Sequence, residues 1–297
     1  MKNYIIVTGG AGFIGSNLIY KLLKDTNYKI LSIDNYSTGS RKNHITNRRL
    51  HYIKSDTKQI SKILSNYKKK IKVIFHFGEF SRIFQSFNNF NECFKSNSIG
   101  SKEVFKFCLD NKIKIIYSAT SATLGKKGKD KNLSPYAFTK SNNLELLENL
   151  KMWFNLKFEI IYFYNVYGEN QIETGKMATV IGIFQHQYES KKPLTVVRPG
   201  TQTRRFTHIS DTIDVCYKAW RKNKCKHYSI SHQKSYSIID VAKMFKTNIK
   251  YLPQRAGERY ASALTNISYN NEVIRYYGKK NLKDYISSFI KTNKKKL

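Results

Sequence analysis

The glycine-rich segment at residues 8–15, TGGAGFIG, constrains the fold of this 297-residue chain more than any other feature. It follows an apolar stretch at residues 4–7 and opens into a stretch whose apolar residues recur at helical spacing. A strand, a glycine turn and a helix in this order place backbone N–H groups at a helix N-terminus, where the glycines let a pyrophosphate approach closely. The order predicts a dinucleotide site whose members here are Gly9, Gly12, Phe13, Ile14 and Gly15.

An acidic residue stands at the distance that such a site needs. Asp34 ends a second apolar stretch, residues 29–33, about 20 residues after the glycine turn. A carboxylate there accepts hydrogen bonds from the two adenosine ribose hydroxyls and repels a 2′-phosphate, so it favours NAD over NADP. The alternative is a glycine-rich turn without a ligand, which the strand, the helix and the acidic residue together disfavour.

Strand-like stretches alternate with helix-like ones through the first half of the chain. Strands are predicted at residues 4–7, 29–33, 50–53, 72–77, 113–117 and 158–163, and helices at 13–24, 90–109 and 137–151. This alternation predicts an α/β fold with a Rossmann-type, doubly wound parallel sheet. Beyond about residue 170, a short strand at 194–197 mixes with predicted helices at 174–190, 211–222 and 237–246. We predict an NAD-binding domain at residues 1–170 and a smaller α/β substrate lobe at 171–297, interleaved with the first in sequence.

The charge of the chain is unusual. It carries 53 Lys and Arg against 20 Asp and Glu, a net charge of +33. Binding to nucleic acid would be one explanation. A bias towards Lys, Asn, Ile, Tyr and Phe over the whole chain is the other. The lysines are spread out rather than gathered in one stripe, so the second explanation is favoured and no nucleic-acid partner is predicted.

The four cysteines, Cys93, Cys108, Cys216 and Cys225, have no spacing typical of metal ligands. They indicate neither a metal site nor a disulfide framework, so we expect a reducing, cytoplasmic setting. No apolar run approaches the roughly 18 residues of a membrane span. We therefore predict no metal and no membrane partner.

The segment at residues 134–140, SPYAFTK, supplies candidate reacting groups. Ser134 can cap a helix that starts at Pro135, which places Tyr136 and Lys140 on one helical face. Beside a cofactor, the Lys140 ammonium can bind the nicotinamide ribose and favours the phenolate form of Tyr136, a usable general base. Because such a pair occurs by chance on many helices, the prediction depends on the glycine turn.

A cluster of hydroxyl residues follows the predicted strand at 113–117. The segment 118–125 reads SATSATLG. A hydroxyl at the carboxyl end of this strand could bind the same substrate oxygen as Tyr136, and Thr120 is the candidate. Any single Ser or Thr of the cluster could instead serve turn geometry.

Together these segments resemble the extended short-chain dehydrogenase/reductase family, in its nucleotide-sugar epimerase and dehydratase branch. The resemblance covers nearly the whole chain and includes residues 55–56, 76–78, 164–168, 202–211 and 255–258. It implies that Thr120, Tyr136 and Lys140 are catalytic. It also implies contacts with the cofactor from Asn35, Asp56, Thr57, Phe77, Gly78, Asn97, Tyr136, Lys140 and Tyr164. The residues that it implies for a nucleotide-diphosphate sugar are Thr120, Asn165, Arg204 and Arg255.

The resemblance also narrows the reaction. Relatives that eliminate water carry an Asp-Glu pair after the catalytic threonine, and decarboxylating relatives use a Glu nearby. Here the two positions hold Ser121 and Ala122, which cannot move those protons. We therefore predict an NAD-dependent 4-epimerase that oxidises C4 of the sugar reversibly to a 4-keto intermediate. A nucleotide-sugar reductase or dehydrogenase of the same family, and an NAD-bound regulatory protein that binds nucleic acid, stay open as alternatives.

Two further expectations follow from the resemblance. A homodimer is expected through the helices at 90–109 and 137–151, whose apolar residues could equally belong to the core; they are Phe94, Val104, Phe105, Leu144 and Leu147. Glu79 departs from the alanine that is usual in relatives, and it is expected to place an anion near the pyrophosphate.

Overall fold

Parallel strands linked through helices form the main body of the molecule. The computed structural model describes residues 3–123, 130–254 and 273–294. The strands are β1 Tyr4–Thr8, β2 Lys29–Asp34, β3 Leu50–Lys54, β4 Ile71–His76, β5 Lys114–Thr120, β6 Phe158–Phe163, β7 Val166–Tyr167, β8 Leu194–Val197, β9 Thr203–Arg205, β10 Thr207–His208, β11 His227–Ser231, β12 Ser235–Ser237, β13 Ile249–Leu252 and β14 Val273–Tyr277. The helices are α1 Phe13–Asp25, α2 Ile60–Ile63, α3 Ile83–Asn88, α4 Phe90–Phe94, α5 Ser101–Asp110, α6 Pro135–Phe154, α7 Val180–Glu189, α8 Ile209–Lys222, α9 Ile238–Met244 and α10 Leu282–Lys294.

Within these ranges, eight strands form one parallel sheet in the order β14-β11-β6-β5-β4-β1-β2-β3. The chain runs from β1 outward to β3 and then returns to the other side of β1 at β4. The carboxyl ends of β1 and β4 therefore flank the point where the strand order reverses, which is where ligands bind in such sheets. The predicted fold class is confirmed, and β11 and β14 add two strands from the C-terminal part of the chain to the same sheet.

Helices cover both faces of this sheet. On one face α5 and α6 pack their apolar residues against the strands; on the other face α1 and α8 do so. Four of the residues considered for a dimer contact belong to the first of these cores: Val104, Phe105, Leu144 and Leu147. Their role is therefore packing, and Phe94 is the one of the five that is only half-buried.

The C-terminal part of the chain builds a smaller core of its own from α7, α9, α10 and the paired strands β8 and β13. The helix predicted at 174–190 begins only at Val180, because Thr179 caps it: its Oγ1 accepts a hydrogen bond from the Gly182 N–H at 3.0 Å. Gly175, with a φ of +79°, breaks helical geometry before that point. Among the residues described, no helix combines the length and apolarity needed to cross a bilayer.

The helix predicted at 90–109 is interrupted. It is divided into α4, a π-helical turn at Lys95–Gly100, and α5. The turn lies against the segment that follows β3, since a Cβ on Gly100 would lie 2.4 Å from Thr57 Oγ1. Turns of this kind occur frequently at functional sites.

Candidate active site

The glycine turn joins the carboxyl end of β1 to α1, and its backbone has no room for larger residues. Gly9 has a φ of +71°, and a Cβ on it would lie 2.8 Å from the backbone nitrogen of Gly78. A Cβ on Gly15 would lie 2.2 Å from the Gly9 carbonyl oxygen. Gly12 is the N-cap of α1 and provides no side chain to cap it. The first N–H groups of the helix are left for another acceptor, which fits the pyrophosphate of a dinucleotide.

Asp34, at the end of β2, supplies a fixed carboxylate beside this turn. Its Oδ2 accepts a hydrogen bond from the Ala11 N–H at 2.9 Å, and its Oδ1 accepts one from the Tyr36 N–H at 2.8 Å. Burial raises the pKa of Asp34, and these backbone hydrogen bonds act in the opposite direction. Asn35 and Asp56 line the same cavity as Asp34. The group fits the ribose end of a dinucleotide.

A cavity of about 440 Å³ runs along the carboxyl ends of the strands and gathers most of the predicted site. Its lining includes the predicted cofactor residues Gly9, Gly12, Phe13, Ile14, Gly15, Asp34, Asn35, Asp56, Thr57, Phe77 and Gly78. It also includes the predicted reacting groups Thr120, Tyr136 and Lys140, together with Asn165 and Arg204. Residues that are far apart in sequence thus face one cavity.

Two of the predicted site residues that the structure describes, Asn97 and Tyr164, are not part of this lining. Asn97 is fully buried, and its side chain accepts from the Phe80 N–H at 2.7 Å and donates to the Phe80 carbonyl at 3.1 Å. It holds the segment after β4, so any effect on a cofactor is indirect. Tyr164 is buried in the core beneath α5 and α6. Arg255 lies outside the described residues.

Helix α6 begins as the sequence predicts. Ser134 Oγ accepts a hydrogen bond from the Ala137 N–H at 3.1 Å, and Pro135 occupies the first turn. Tyr136 follows, 8% exposed, with its N–H donating to Ser86 Oγ at 3.2 Å. Thr120 reaches the same cavity from the end of β5. Two separate elements therefore present the phenol and the hydroxyl to one space.

Lys140 lies one turn further along α6 and is almost completely buried. Its Nζ donates to the Ser118 carbonyl oxygen at 2.5 Å and to the Glu79 carboxylate, and it lies 4.6 Å from the centre of the Tyr117 ring. The Glu79 side chain is 2% exposed. This carboxylate is thus paired with Lys140, and Glu79 lines the same cavity as the glycine turn. That it places an anion near a pyrophosphate stays a prediction.

A chain of buried hydrogen bonds connects this pair to the end of β1, and the sequence analysis missed it. Ser101 Oγ donates to Glu79 Oε1 at 2.8 Å and lies 2.9 Å from His76 Nε2, while His76 Nδ1 lies 2.7 Å from Thr8 Oγ1. Since Ser101 has only one proton to donate, His76 Nε2 carries the hydrogen and Nδ1 accepts from Thr8. Burial lowers the pKa of His76 to about 4, so the ring is neutral at neutral pH. The signal in the sequence was polar residues at the last positions of β1 and β4.

Two arginines also line the cavity. Arg204 was predicted; Arg82 was not. The Arg82 Nε donates to the Met177 carbonyl at 3.0 Å, which fixes the guanidinium against the loop before α7. Burial lowers the pKa of Arg82, yet a guanidinium keeps its charge in proteins. Arg205, next to Arg204, donates instead to the carbonyl of Gln233 at 2.7 Å.

Comparison with known proteins agrees with this geometry. Residues 5–231 match the sequence profile of the NAD dependent epimerase/dehydratase family. A Bacillus subtilis protein described as an uncharacterized UDP-glucose epimerase is 27% identical over 226 residues, 70% of each chain. The ADP-L-glycero-D-manno-heptose-6-epimerase of Fusobacterium nucleatum is 26% identical over 263 residues, 80% of this chain and 77% of the relative.

A solved structure of a 4-epimerase is also similar to this chain. A variant of UDP-glucuronic acid 4-epimerase from Bacillus cereus, in complex with UDP-4-deoxy-4-fluoro-glucuronic acid and NAD, is 26% identical. It superimposes with a TM-score of 0.84 over 99% of this chain and 100% of the relative. The chain therefore belongs to the NAD-dependent epimerase/dehydratase family, and its cofactor is NAD, as the glycine turn and Asp34 predict.

Proposed function

We propose that this chain is an NAD-dependent nucleotide-sugar 4-epimerase that works by reversible oxidation of C4 to a 4-keto intermediate. The observation that carries the proposal is the shared cavity: Thr120, Tyr136 and Lys140 line the same space as the glycine turn and Asp34. Epimerisation at a carbon that bears a hydroxyl needs an acid–base group next to a redox cofactor, because the carbon must lose a hydrogen and regain it on the other face.

The glycine turn and Asp34 would hold the cofactor, with the pyrophosphate at the start of α1 and the adenosine ribose on the Asp34 carboxylate. The chemistry that NAD supplies when bound is reversible hydride exchange with the sugar carbon. Phe77 and Gly78 line the cavity between the turn and the reacting groups. Their place at the end of β4 makes them part of the surface on which the cofactor would rest.

The proton steps fall to Tyr136. Its phenolic oxygen takes the proton of the C4 hydroxyl and returns it to the 4-keto oxygen. The hydroxyl of Thr120 binds the same substrate oxygen, and the Lys140 ammonium favours the phenolate form of Tyr136. The proposal thus gives each of the three side chains a separate role at one atom of the sugar.

Positions 121 and 122 favour epimerisation over elimination. Ser121 and Ala122 form the turn directly after Thr120, and both are buried. Neither side chain carries a carboxylate that could remove a proton from C5 or protonate a leaving hydroxyl. Oxidation and reduction at a single carbon is the chemistry that the residues here support.

Two arginines in the cavity lining support a nucleotide-diphosphate sugar as the substrate. Arg204 and Arg82 both line it, and guanidinium groups can form paired hydrogen bonds with phosphate oxygens. We propose that Arg204, with Asn165, holds the diphosphate while the 4-keto sugar turns over. Arg255, predicted to share this task, lies outside the described residues.

We also propose a homodimer and a cytoplasmic location. Apolar side chains remain exposed on the surface of α3, α4 and α6: Phe87 is 41% exposed, Phe90 51% and Phe138 41%. An apolar patch of this kind is typical of a protein contact. Sedimentation of the purified protein as a monomer at micromolar concentration would contradict the homodimer.

The proposed cytoplasmic location is supported by the four cysteines, which are free thiols, as is usual in a reducing compartment.

The direct test is to incubate the purified protein with UDP-, GDP-, ADP- and dTDP-sugars and to follow inversion at C4 by NMR. We expect inversion of at least one sugar without added cofactor, because the NAD is regenerated in each cycle and stays bound. A requirement for added NADH or NADPH in stoichiometric amount would identify a reductase instead. Inversion at another carbon of an ADP-sugar would place the reaction closer to that of the Fusobacterium relative.

Tyr136→Phe tests the role of the phenol. Removal of a positioned acid–base group lowers turnover by at least about 100-fold, whereas Tyr20→Phe, at a tyrosine that is 63% exposed on α1, serves as the control and leaves turnover unchanged. A near-normal rate in Tyr136→Phe would remove this residue from the mechanism.

A further inference from the structure

A buried carboxylate is paired with Lys140, the lysine that lies one helical turn from the proposed acid–base group Tyr136. Glu79 follows β4, and its Oε2 accepts from the Lys140 ammonium. Its Oε1 accepts from Ser101 Oγ at 2.8 Å, from the Tyr117 hydroxyl at 3.0 Å and from Asn143 Nδ2 at 3.1 Å. The side chains of Glu79 and Lys140 are 2% and 4% exposed. Four donors from three elements therefore fix one carboxylate in the wall of the cavity.

The neighbours of this pair are neutral at neutral pH. From β4, His76 has its pKa lowered to about 4 by burial. From β5, burial raises the pKa of Tyr117 well above its ordinary value, and from α4 burial raises the pKa of Cys93 to about 11. From α6, Asn143 is uncharged and Tyr136 is the group acted upon. Arg82 lines the same cavity as Tyr136, and its charge interacts with that phenol.

We propose that Glu79 is a positioning residue for the acid–base group: it fixes the Lys140 ammonium and offsets part of its charge, which limits how strongly Lys140 favours the phenolate form of Tyr136. The inference rests on the proposed function in one respect, namely that Tyr136 is the acid–base group. The physical basis is that a positive charge near a phenol stabilises the phenolate, and a negative charge next to it acts against that stabilisation.

This arrangement suits a reaction that runs in both directions within one cycle. In epimerisation the same phenol must take a proton from the C4 hydroxyl and later give it back to the 4-keto oxygen. A strong bias towards the phenolate would speed the first step and slow the second. A carboxylate that moderates Lys140 keeps both protonation states of Tyr136 accessible.

The test is a pH titration of tyrosinate absorbance in the purified full-length protein. The Tyr136 signal is isolated as the difference between each protein and its Tyr136→Phe counterpart, for the wild type and for Glu79→Gln. We expect the Tyr136 titration in Glu79→Gln to move to lower pH by about one unit, the usual effect of removing one nearby like charge. The acidic limb of turnover against pH should move by the same amount, with kcat at the alkaline plateau within about threefold of wild type.

Two controls separate charge from packing. Glu79→Asp keeps the charge and should restore the wild-type titration. Glu159→Gln removes a different buried carboxylate, which pairs with Lys114 at the opposite edge of the sheet, and should leave the Tyr136 titration unchanged. If Glu79→Gln does not fold, Glu79→Ala, which introduces the residue usual in relatives, is titrated in its place.

The outcomes are distinct. A Tyr136 titration that is unchanged or moves to higher pH in the folded variant overturns the inference. So does a loss of turnover at every pH without movement of the acidic limb, which would assign Glu79 a purely structural role. The titration needs no substrate, so it decides the role of Glu79 even if no nucleotide sugar is inverted and the proposed function fails.

Discussion

Two buried lysine–glutamate pairs lie at opposite edges of the large sheet. Lys140 pairs with Glu79 at the carboxyl ends of the strands, and Lys114 pairs with Glu159 at the amino ends of β5 and β6. The Glu159 oxygens also accept from the N–H groups of Cys225 at 3.0 Å and Lys226 at 3.0 Å. The second pair therefore fixes the backbone that leads into β11.

The partners of the two carboxylates differ in kind. Glu159 is bonded to backbone N–H groups, so its pair fastens one part of the fold to another. Glu79 is bonded to side chains, and its lysine lines the cavity beside Tyr136. Burial of two charges costs free energy that their attraction does not always recover. At the amino ends of the strands, the backbone hydrogen bonds to Glu159 offset that cost. At the carboxyl ends, the proposed role of the pair is that Glu79 moderates the charge of Lys140 beside Tyr136.

Replacement of the two lysines should separate these roles most clearly. Lys140→Met removes the cation next to Tyr136, and we expect turnover to fall by about 10³-fold, within the range for loss of a positioned acid–base system. Lys114→Met should leave turnover within about threefold of wild type. Both changes leave a buried carboxylate without its partner, so each should lower the free energy of unfolding by about 3 kcal/mol.

The measurements are steady-state turnover on the identified substrate and urea unfolding followed by circular dichroism. Similar losses of turnover in the two variants, at similar stability, would show that the Lys140–Glu79 pair has no special role in turnover. Full activity in Lys140→Met would contradict the proposed chemistry as well.

A second contrast concerns pH. His76, fully buried near the site, has a pKa of about 4 in the folded protein against about 6.5 unfolded. Between these values the unfolded chain binds more protons, so stability is fully present above about pH 6.5 and falls as pH decreases. The shift predicts that His76 accounts for a loss of about 2 kcal/mol in the free energy of unfolding between pH 7 and pH 5.

His76→Gln isolates this contribution, because other groups titrate alike in both proteins. Urea unfolding at pH 7 and pH 5 should show a loss of stability that is smaller by about 2 kcal/mol in the variant. Equal losses in the two proteins would mean that His76 is protonated in the folded state at pH 5.

The fold followed closely from the sequence, and the reasons are local. The six predicted strands are present: five are apolar stretches long enough for a buried parallel strand, and β3, the outermost strand on its side of the sheet, is only partly buried. Helix α6 begins at Pro135 because Ser134 supplies its cap. The helix predicted at 90–109 failed as a single element, since hydrophobic spacing does not report the π-helical turn that brings Gly100 against Thr57.

The site was predictable where a residue type is demanded by backbone geometry, and less so where side chains meet across strands. Gly9 and Gly15 are required by close contacts that the motif itself encodes. The pairing of Glu79 with Lys140 joins residues from different elements and has no signature in either segment alone. Asn143 could have been found, since it shares a helical face with Tyr136 and Lys140.

The smallest effect is expected at the amino edge, where Glu148 Oε1 lies 2.5 Å from His227 Nε2. The hydrogen bond from His227 holds the pKa of Glu148 below its usual range. The contribution of Glu148 to stability is therefore present above its pKa in the unfolded chain and is lost as pH falls through its lower pKa in the folded protein.

Because the Glu148 side chain is 34% exposed, solvent weakens the interaction. Glu148→Gln should lower the free energy of unfolding at about pH 6 by less than about 1 kcal/mol. The difference from wild type should shrink as the pH is lowered towards about 3, because the Glu148 carboxylate becomes protonated. Urea unfolding at these two pH values measures it. A difference in the free energy of unfolding that persists at the lower pH would mean that Glu148 stabilises the protein through packing. The Glu148–His227 pair would then fasten parts of the fold together, as the Lys114–Glu159 pair does.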